Sequence, residues 1–555
     1  MRKNACQSIN LKNKSAMFSQ YVNQYISRVK VRISRDKFSR EELEYEEDRV
    51  QAPGLKKKWF ARKGAVFAFI FFLMAFCGAF SYFGLMGQSL RLDEAQSMWQ
   101  TRETPRAMLN TIAQDVHVPL YHLILHYWQV FFGNSVAVDR SLSLIFFLLT
   151  IPAAYMLGKA AFGEKVGIFT ASLVALSPFL NWYGSEIRMY SMLLFFCVLN
   201  QYFFVKIFSA KPEHRRKGGA WAGYFITGLL GIFVHYFFWL QILAQAVFFF
   251  LNRAEFPKKS LSKFIGITVF YILALSPWLY YVFKLGFAAN TQPLLPRPTS
   301  VDLFNTFSQF VYGFQDNAIN TVFVSLWPIA VLFAFFSLRR DRRTAERRKF
   351  PTYGGYFLLA SFLPVILAFV VSFVIKPVYL PRYLIFAVPP LYVFVVWLLF
   401  SKYPRRLSIA IASLLVLIMS AGLVNQTVSA ATPVKENYKQ VSAYLDAHAA
   451  PSDIIAVAAP FTIYPVEYYY KGDCQIVTLP IWDRYAHGPI PAFDASKLPS
   501  QISEIAAGHT DIWLVLSYDQ GYNSKIKFYL DTHFQRLYDQ GFSQGLSLME
   551  YKVRY

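Results

Sequence analysis

The sequence predicts a polytopic α-helical membrane protein that ends in a small α/β domain. Apolar residues gather in runs of about 17 to 25, the length that crosses a ~30 Å hydrocarbon core. Of 555 residues, 55% are hydrophobic, 18% aromatic and only 16% charged, against the roughly 25% charged residues expected of a soluble protein. Only the last stretch, residues 426–555, changes pattern, alternating short strand-like runs with helical ones.

Eleven apolar segments read as spans: 64–86, 141–161, 166–183, 190–208, 220–234, 237–251, 264–283, 318–338, 356–375, 384–400 and 407–425. The net charge of +23 raises nucleic acid as a partner, but the basic residues lie in short clusters between apolar runs, the pattern of cytoplasmic loops. No nucleic-acid partner is expected. With eleven spans, KKKWFARK, KAAFGEK, KPEHRRKGG, the stretch holding Lys258, Lys259 and Lys263, RRDRRTAERRK and SKYPRR all fall on the cytoplasmic side.

One segment tests this count. HVPLYHLILHYWQVFF, residues 117–132, is short, begins beside a proline and carries His117, His122 and His126. Counted as a span it would put RRDRRTAERRK outside, so it reads as an aromatic, amphipathic helix lying on the outer membrane surface. Residues 220–251 then form a hairpin turning at His235 and Tyr236 on the outer side.

Three regions follow. Residues 1–63 are polar, first basic and then acidic (REELEYEEDR), and read as a largely disordered cytoplasmic tail. The first apolar run is too long for a signal-peptide core and reads as a retained span, opening a membrane module at 64–425. Residues 426–555 form an extracytoplasmic α/β domain with strands in DIIAVAA, CQIVTL and DIWLVLSY and a helix in ENYKQVSAYLDAHA. The four cysteines, Cys6, Cys77, Cys197 and Cys474, share no close spacing, so neither a disulfide framework nor a cysteine metal site is expected. No H-E-x-x-H spacing supports a metal, and no cofactor is called for. The expected location is the plasma or inner membrane, with the N-terminus cytoplasmic.

With this topology the unusual polar residues collect on one face. The first outer loop opens RLDEAQSMW, with Asp93 and Glu94, and continues to AQDVHVPLYH, with Asp115 and His117. The second carries NWYGSEIRMYS, with Glu186, Arg188 and Tyr190, and a later one IKPVYLPRYL, with Lys376, Arg382 and Tyr383. Ionisable groups at a membrane edge are costly unless paired or used. Plainer readings stand beside the functional one: Asp93 and Glu94 as helix caps, Arg188 as the partner of Glu186, and Arg382 and Lys376 as snorkelling anchors.

The order of these motifs carries a resemblance. A carboxylate pair after the first span, H-x-P-L-Y about 25 residues on, E-x-R-M-Y after LSP, then P-R-Y-L, together resemble the bacterial dolichyl-phosphate-mannose protein mannosyltransferase-like family. That family includes the aminoarabinose transferases and has the GT-C fold. The pattern departs from the family at Val118, where a proline is usual. The resemblance implies transfer of a sugar from a polyprenyl-phosphate donor to an acceptor hydroxyl on a glycan, lipid or protein, with inversion at the anomeric carbon. A carboxylate shielded from bulk water would be the general base: Asp93, with Glu94 assisting. Cationic donors would hold the leaving phosphate: Arg188 and Arg382, helped by His117 and Lys376. Glu186, Tyr190, Tyr383 and Asp115 would bind sugar or acceptor. The alternatives are a transporter or lipid flippase, and a membrane-anchored scaffold. A transporter calls for inverted repeats and midplane charges, which the sequence lacks.

Overall fold

The computed structural model describes residues 53–553 except 85, 116, 209–216, 254–255, 257, 286–294, 316–319, 323–324, 326–352, 429–435 and 486–489. The chain divides into two compact units, Met1–Phe71 and Phe72–Tyr555, and every contact described below lies within the second. Residues 1–52 of the expected tail, most of the 318–338 span and the RRDRRTAERRK cluster lie outside the described residues, whereas 53–63 already belong to the first helix.

Seven helices among the described residues are long and apolar enough to cross a membrane, so this is a multi-pass membrane protein. They are α1 (Pro53–Gly84), α5 (Val136–Phe162), α8 (Tyr190–Phe208), α11 (Lys258–Lys284), α13 (Tyr353–Val374), α14 (Val388–Lys402, continuing a 3-10 turn at Pro381–Ala387) and α15 (Arg405–Val428). An eighth crossing is broken: α6 (Glu164–Leu176) and α7 (Pro178–Gly184) meet at a 60° bend. Pro178 has no N–H to continue the ladder, and the Ser177 hydroxyl caps the new helix through Leu180 N at 3.2 Å. The hairpin of α9 (Lys217–Val234) and α10 (Phe238–Leu251) turns at 235–237. Ten of the eleven expected segments are therefore helical.

Short helices fill the first loop: α2 (Leu92–Thr101), α3 (Pro105–Gln114) and α4 (Leu120–Phe132); α12 (Ser300–Tyr312) lies in a later one. The 13 residues of α4 reach only about 20 Å at 1.5 Å each, too short to span. One of its faces, with Tyr121, His122 and Leu125, is buried, and its end leaves Tyr127, Val130, Phe131 and Phe132 exposed. Residues 117–132 thus hold a short, one-sidedly buried helix.

The turn between α5 and α6 needs Gly163, whose φ of +99° is a region that side chains avoid. It brings Gly158 so close to Gly167 that a β-carbon on Gly158 would lie 2.9 Å from the Gly167 Cα. Deeper in, polar side chains join the helices where lipid offers no competing water. Asn200 of α8 accepts from Gln241 and Gln245 of α10 at 3.1 and 2.9 Å, and Tyr224 of α9 donates to Gln245 at 2.8 Å.

After α15, the C-terminal domain begins with α16 (Tyr438–His448) and runs β1 (Ile454–Ala458), α17 (Ile463–Tyr469), β2 (Gln475–Leu479), α18 (Leu498–Ala506), β3 (Asp511–Leu516), α19 (Asn523–His533), β4 (Gln535–Ser543) and β5 (Leu546–Lys552). The sheet order is β2-β1-β3-β5-β4; the first three strands are parallel and β5 and β4 add antiparallel. β1 and β3 are buried along their whole length, the pattern of central parallel strands covered on both faces. The domain docks on the first loop. Tyr464 packs on Trp99 at 5.0 Å, Arg484 lies over the same indole at 5.3 Å, and the Tyr469 hydroxyl accepts from Leu90 N at 2.9 Å.

Candidate active site

α2 opens with the carboxylate pair, and its first turn sends the two side chains in different directions. Glu94 sits at the third helical position and accepts from the backbone N of Arg91 at 3.0 Å, a capping contact. It also receives Arg140 Nε and Nη2 at 2.9 and 2.8 Å and Ile187 N at 3.2 Å. Glu94 and Arg140 are fully buried. The expectation that Glu94 assists catalysis meets a carboxylate already committed to Arg140 and to the frame of two loops.

Asp93 faces the other way. Its Oδ2 lies 2.7 Å from Arg382 Nη1, and the two side chains are 19% and 23% exposed. Arg382 arrives on the 3-10 turn after α13, whose rigid start is set by Pro381. Arg188, on the loop between the broken helix and α8, closes the other flank. Its Nη1 donates to Asp93 O at 3.4 Å and Ser97 Oγ at 3.2 Å. Its Nη2 lies 3.2 Å from His117 Nε2, a contact that requires the imidazole to accept and hence to be neutral. Burial, reinforced by Arg188, holds the pKa of His117 well below its ordinary value, in agreement with that role. Burial pushes the Asp93 carboxyl up, but Arg382, Arg188 and Arg91 together outweigh it and the net shift is downward.

The cluster continues behind these residues. Asp115 Oδ2 accepts from Gln96 and Gln100 at 2.8 and 2.7 Å and lies 3.5 Å from His117 Nε2. Trp278 donates to the His117 carbonyl at 3.2 Å and fixes the loop. Tyr190 and Tyr383 stack loosely at 6.2 Å, and His235 packs on Tyr383 at 5.3 Å. Glu186 is fully buried, with Arg91 Nη1 at 3.9 Å, while Arg188 reaches Asp93 O and His117. Lys376 sits exposed between α13 and Pro381, outside the buried cluster.

Arg188 Nε and Arg382 Nε are both buried with no hydrogen-bond partner in the protein, as is the Tyr190 hydroxyl. Buried donors are normally satisfied, and two guanidinium edges beside one another suit phosphate oxygens. Arg91 was not among the residues singled out from sequence, although it adjoins the carboxylate pair in RLDEAQSMW. It is 23% exposed, rests over Trp182 at 5.8 Å, and acts electrostatically on both Asp93 and Glu186. Its position just before α2 was the signal available. Among the described residues no group of three or more His, Cys, Asp or Glu is placed to hold a metal.

The chain has the GT-C fold. It is similar to the crystal structure of ArnT from Cupriavidus metallidurans in the apo state, with a TM-score of 0.54 and 13% identity over 88% of this chain and 98% of that one. The crystal structure of the same enzyme bound to undecaprenyl phosphate matches with a TM-score of 0.54 and 13% identity, over 87% of this chain and 98% of that one. No protein-family model matches the sequence, and no curated protein does.

Proposed function

We propose that the chain is an integral membrane glycosyltransferase that moves a sugar from a polyprenyl-phosphate donor to an acceptor hydroxyl, with Asp93 as general base and inversion at the anomeric carbon. The observation that carries the reading is the 2.7 Å contact of Asp93 with Arg382 beside two buried guanidinium edges without partners. The similar ArnT structure bound to undecaprenyl phosphate supports a lipid phosphate as the group those edges await.

Arg382, Arg188 and Arg91 outweigh burial and hold the Asp93 carboxyl below its ordinary pKa, which makes it ionised and a weak base. A donor phosphate that takes Arg382 and Arg188 frees the carboxylate from its main partner and raises its basicity when substrate is in place. Asp93 then accepts the proton of the acceptor hydroxyl as that oxygen forms its bond to the anomeric carbon. The bond from that carbon to the phosphate oxygen breaks, and the electron pair leaves as polyprenyl phosphate. Its new charge is held by Arg382 and Arg188, the latter oriented by neutral His117. A single displacement inverts the centre. Asp115, Glu186, Tyr190 and Tyr383 line the sugar side.

The reading extends to sidedness. Arg140 at the start of α5 and Tyr190 at the start of α8 lie at the site, so Lys159, Lys165, Lys206, Lys402, Arg405 and Arg406, at the far ends of α5, α8 and α14 and in the turns there, lie on the opposite face. The positive-inside rule makes that face cytoplasmic and the site with its C-terminal domain extracytoplasmic, in the plasma or inner membrane. The test is turnover: purified full chain in lipid with a panel of radiolabelled polyprenyl-phosphate sugars and hydroxyl acceptors. Release of polyprenyl phosphate that disappears in Asp93→Asn is expected. Absence of both turnover and binding for every such donor would favour a transporter.

A further inference from the structure

The C-terminal domain reaches the site through one strained residue. Tyr518 follows β3 with a φ of +46°, a left-handed conformation that is rare for a bulky non-glycine residue and persists only where the surroundings enforce it. They do so from both sides. Ser517 is bonded to the Tyr438 hydroxyl at 2.7 Å. Asp519 Oδ1 accepts from the backbone N of Gly521, Tyr522 and Asn523 at 2.8, 3.0 and 3.1 Å, capping α19. The residue between is pinned with its phenol donating to Glu436 Oε2 at 3.4 Å and meeting Arg91 of the membrane module.

Arg91 thereby joins two groups of residues. On one side it pairs with Glu186 and covers Trp182; on the other it faces Tyr518 and Glu436, which stands just ahead of α16. Arg91, Asp93 and Arg382 are each about one-fifth exposed, whereas Glu186 and Tyr190 behind them are sealed. The opening of the site is thus floored by the charged trio and walled, on the C-terminal-domain side, by a phenol and a carboxylate.

We infer that Tyr518 and Glu436, with Arg91, form the acceptor subsite, and that the acceptor they fit is a neutral, hydroxyl-rich sugar. The inference rests on the transferase reading of the same site. A carboxylate accepts two vicinal hydroxyls, an arginine donates to sugar oxygens, and an aromatic ring covers the apolar face of a pyranose; all three sit together here. The Glu436 carboxylate, bonded to the Tyr518 hydroxyl at 3.4 Å, accepts from a neutral hydroxyl and repels an anionic acceptor.

The test uses the full chain in lipid nanodiscs and two separate readings. Saturation-transfer NMR with methyl α-glucoside, methyl α-mannoside and methyl α-galactoside reads the acceptor subsite. Titration with undecaprenyl phosphate reads the donor side. At least one glycoside is expected to receive saturation from the wild type, and at least fivefold less from Glu436→Gln and Tyr518→Phe, both of which keep shape and an unchanged melting temperature. Both variants should still take up undecaprenyl phosphate within threefold of the wild type. Glycoside signals equal in wild type and variants, or signals from a serine- and threonine-bearing peptide in place of the glycosides, overturn the inference. Failure of undecaprenyl phosphate to bind the wild type instead removes the donor reading, and the glycoside comparison still decides the subsite.

Discussion

Arg140 holds Glu94 at two points, Nε and Nη2 at 2.9 and 2.8 Å, with both side chains fully buried. The same guanidinium donates to the carbonyls of Met86, Gln88 and Ser89 at 3.0, 2.8 and 3.1 Å, so one side chain ties α5 to the loop that presents α2. Removing either partner strands a buried charge, at a cost of about 3–5 kcal/mol. Glu94→Ala and Arg140→Ala are therefore expected to lower the unfolding temperature in detergent sharply, with lost activity tracking lost fold. A Glu94→Ala protein that melts like wild type yet is inactive would return Glu94 to the chemistry.

Asp93→Asn should behave in the opposite way. The amide keeps the shape and one oxygen for Arg382, so thermal stability should stay close to wild type. Turnover should fall by roughly 10²–10⁴, the usual contribution of a general base. Single-turnover assays separate this from donor binding, which the variant should retain.

Arg382→Lys tests the fork geometry. Lysine keeps the charge but cannot present two coplanar N–H groups to a phosphate. Undecaprenyl phosphate affinity should fall at least tenfold, while Arg188→Lys should also disturb His117, whose Nε2 lies 3.2 Å from Arg188. Equal affinity in both lysine variants and wild type would show that charge alone suffices.

Acid should destabilise the fold near the site before the carboxylates titrate. Burial, then Arg188, lowers His122 to about 3; burial, then Arg188 and Arg382, lowers His235 to about 3; His117 lies well below its ordinary value for the same leading reasons. All three are neutral when folded, whereas in the unfolded chain they take up protons near 6.5. Below that pH the unfolded state binds more protons, so their contribution is intact above pH 6.5 and is lost as pH falls from there toward 3, by at most about 1.4 kcal/mol per histidine per pH unit. Asp93, with its pKa lowered, contributes in the same direction at lower pH, losing its share as pH falls below the unfolded carboxylate value. Melting curves from pH 8 to 4 should decline below 6.5, and His122→Phe should flatten the decline.

Asn200 anchors the buried polar ladder among α8, α9 and α10, and Asn200→Leu removes one acceptor each from Gln241 and Gln245, which keep the Cys197 carbonyl at 3.2 Å and the Tyr356 hydroxyl at 3.4 Å. A loss of about 1 kcal/mol is expected, read as a lower melting temperature with unchanged donor binding.

The membrane module was legible because lipid imposes a length and an apolarity on each crossing. The break inside 166–183 was not read, although Pro178 in LSP marks it. The shortness of 117–132 and its histidines set it apart from the longer apolar runs. In the C-terminal domain, β1, β2 and β3 are apolar and were readable, but β4 (QRLYDQGFS) exposes most of its residues, and its pairing with β5 left little pattern. At the site, Asp93, Arg188, Arg382, His117 and Asp115 could be gathered because ionisable residues at a membrane edge are conspicuous. What no spacing encoded was the division of labour within a pair: Glu94 and Asp93 are neighbours in sequence, and only the arrival of Arg140 on one side and Arg382 on the other assigns them. Arg91, Glu436 and Tyr518 escaped notice because their meeting depends on how the C-terminal domain docks.

The most direct test is a structure of the full chain in nanodiscs with undecaprenyl phosphate bound. The account expects the phosphate within hydrogen-bonding reach of Arg188 and Arg382, with the contact between Arg382 and Asp93 opened. A phosphate seated elsewhere, with that 2.7 Å contact intact, would contradict it.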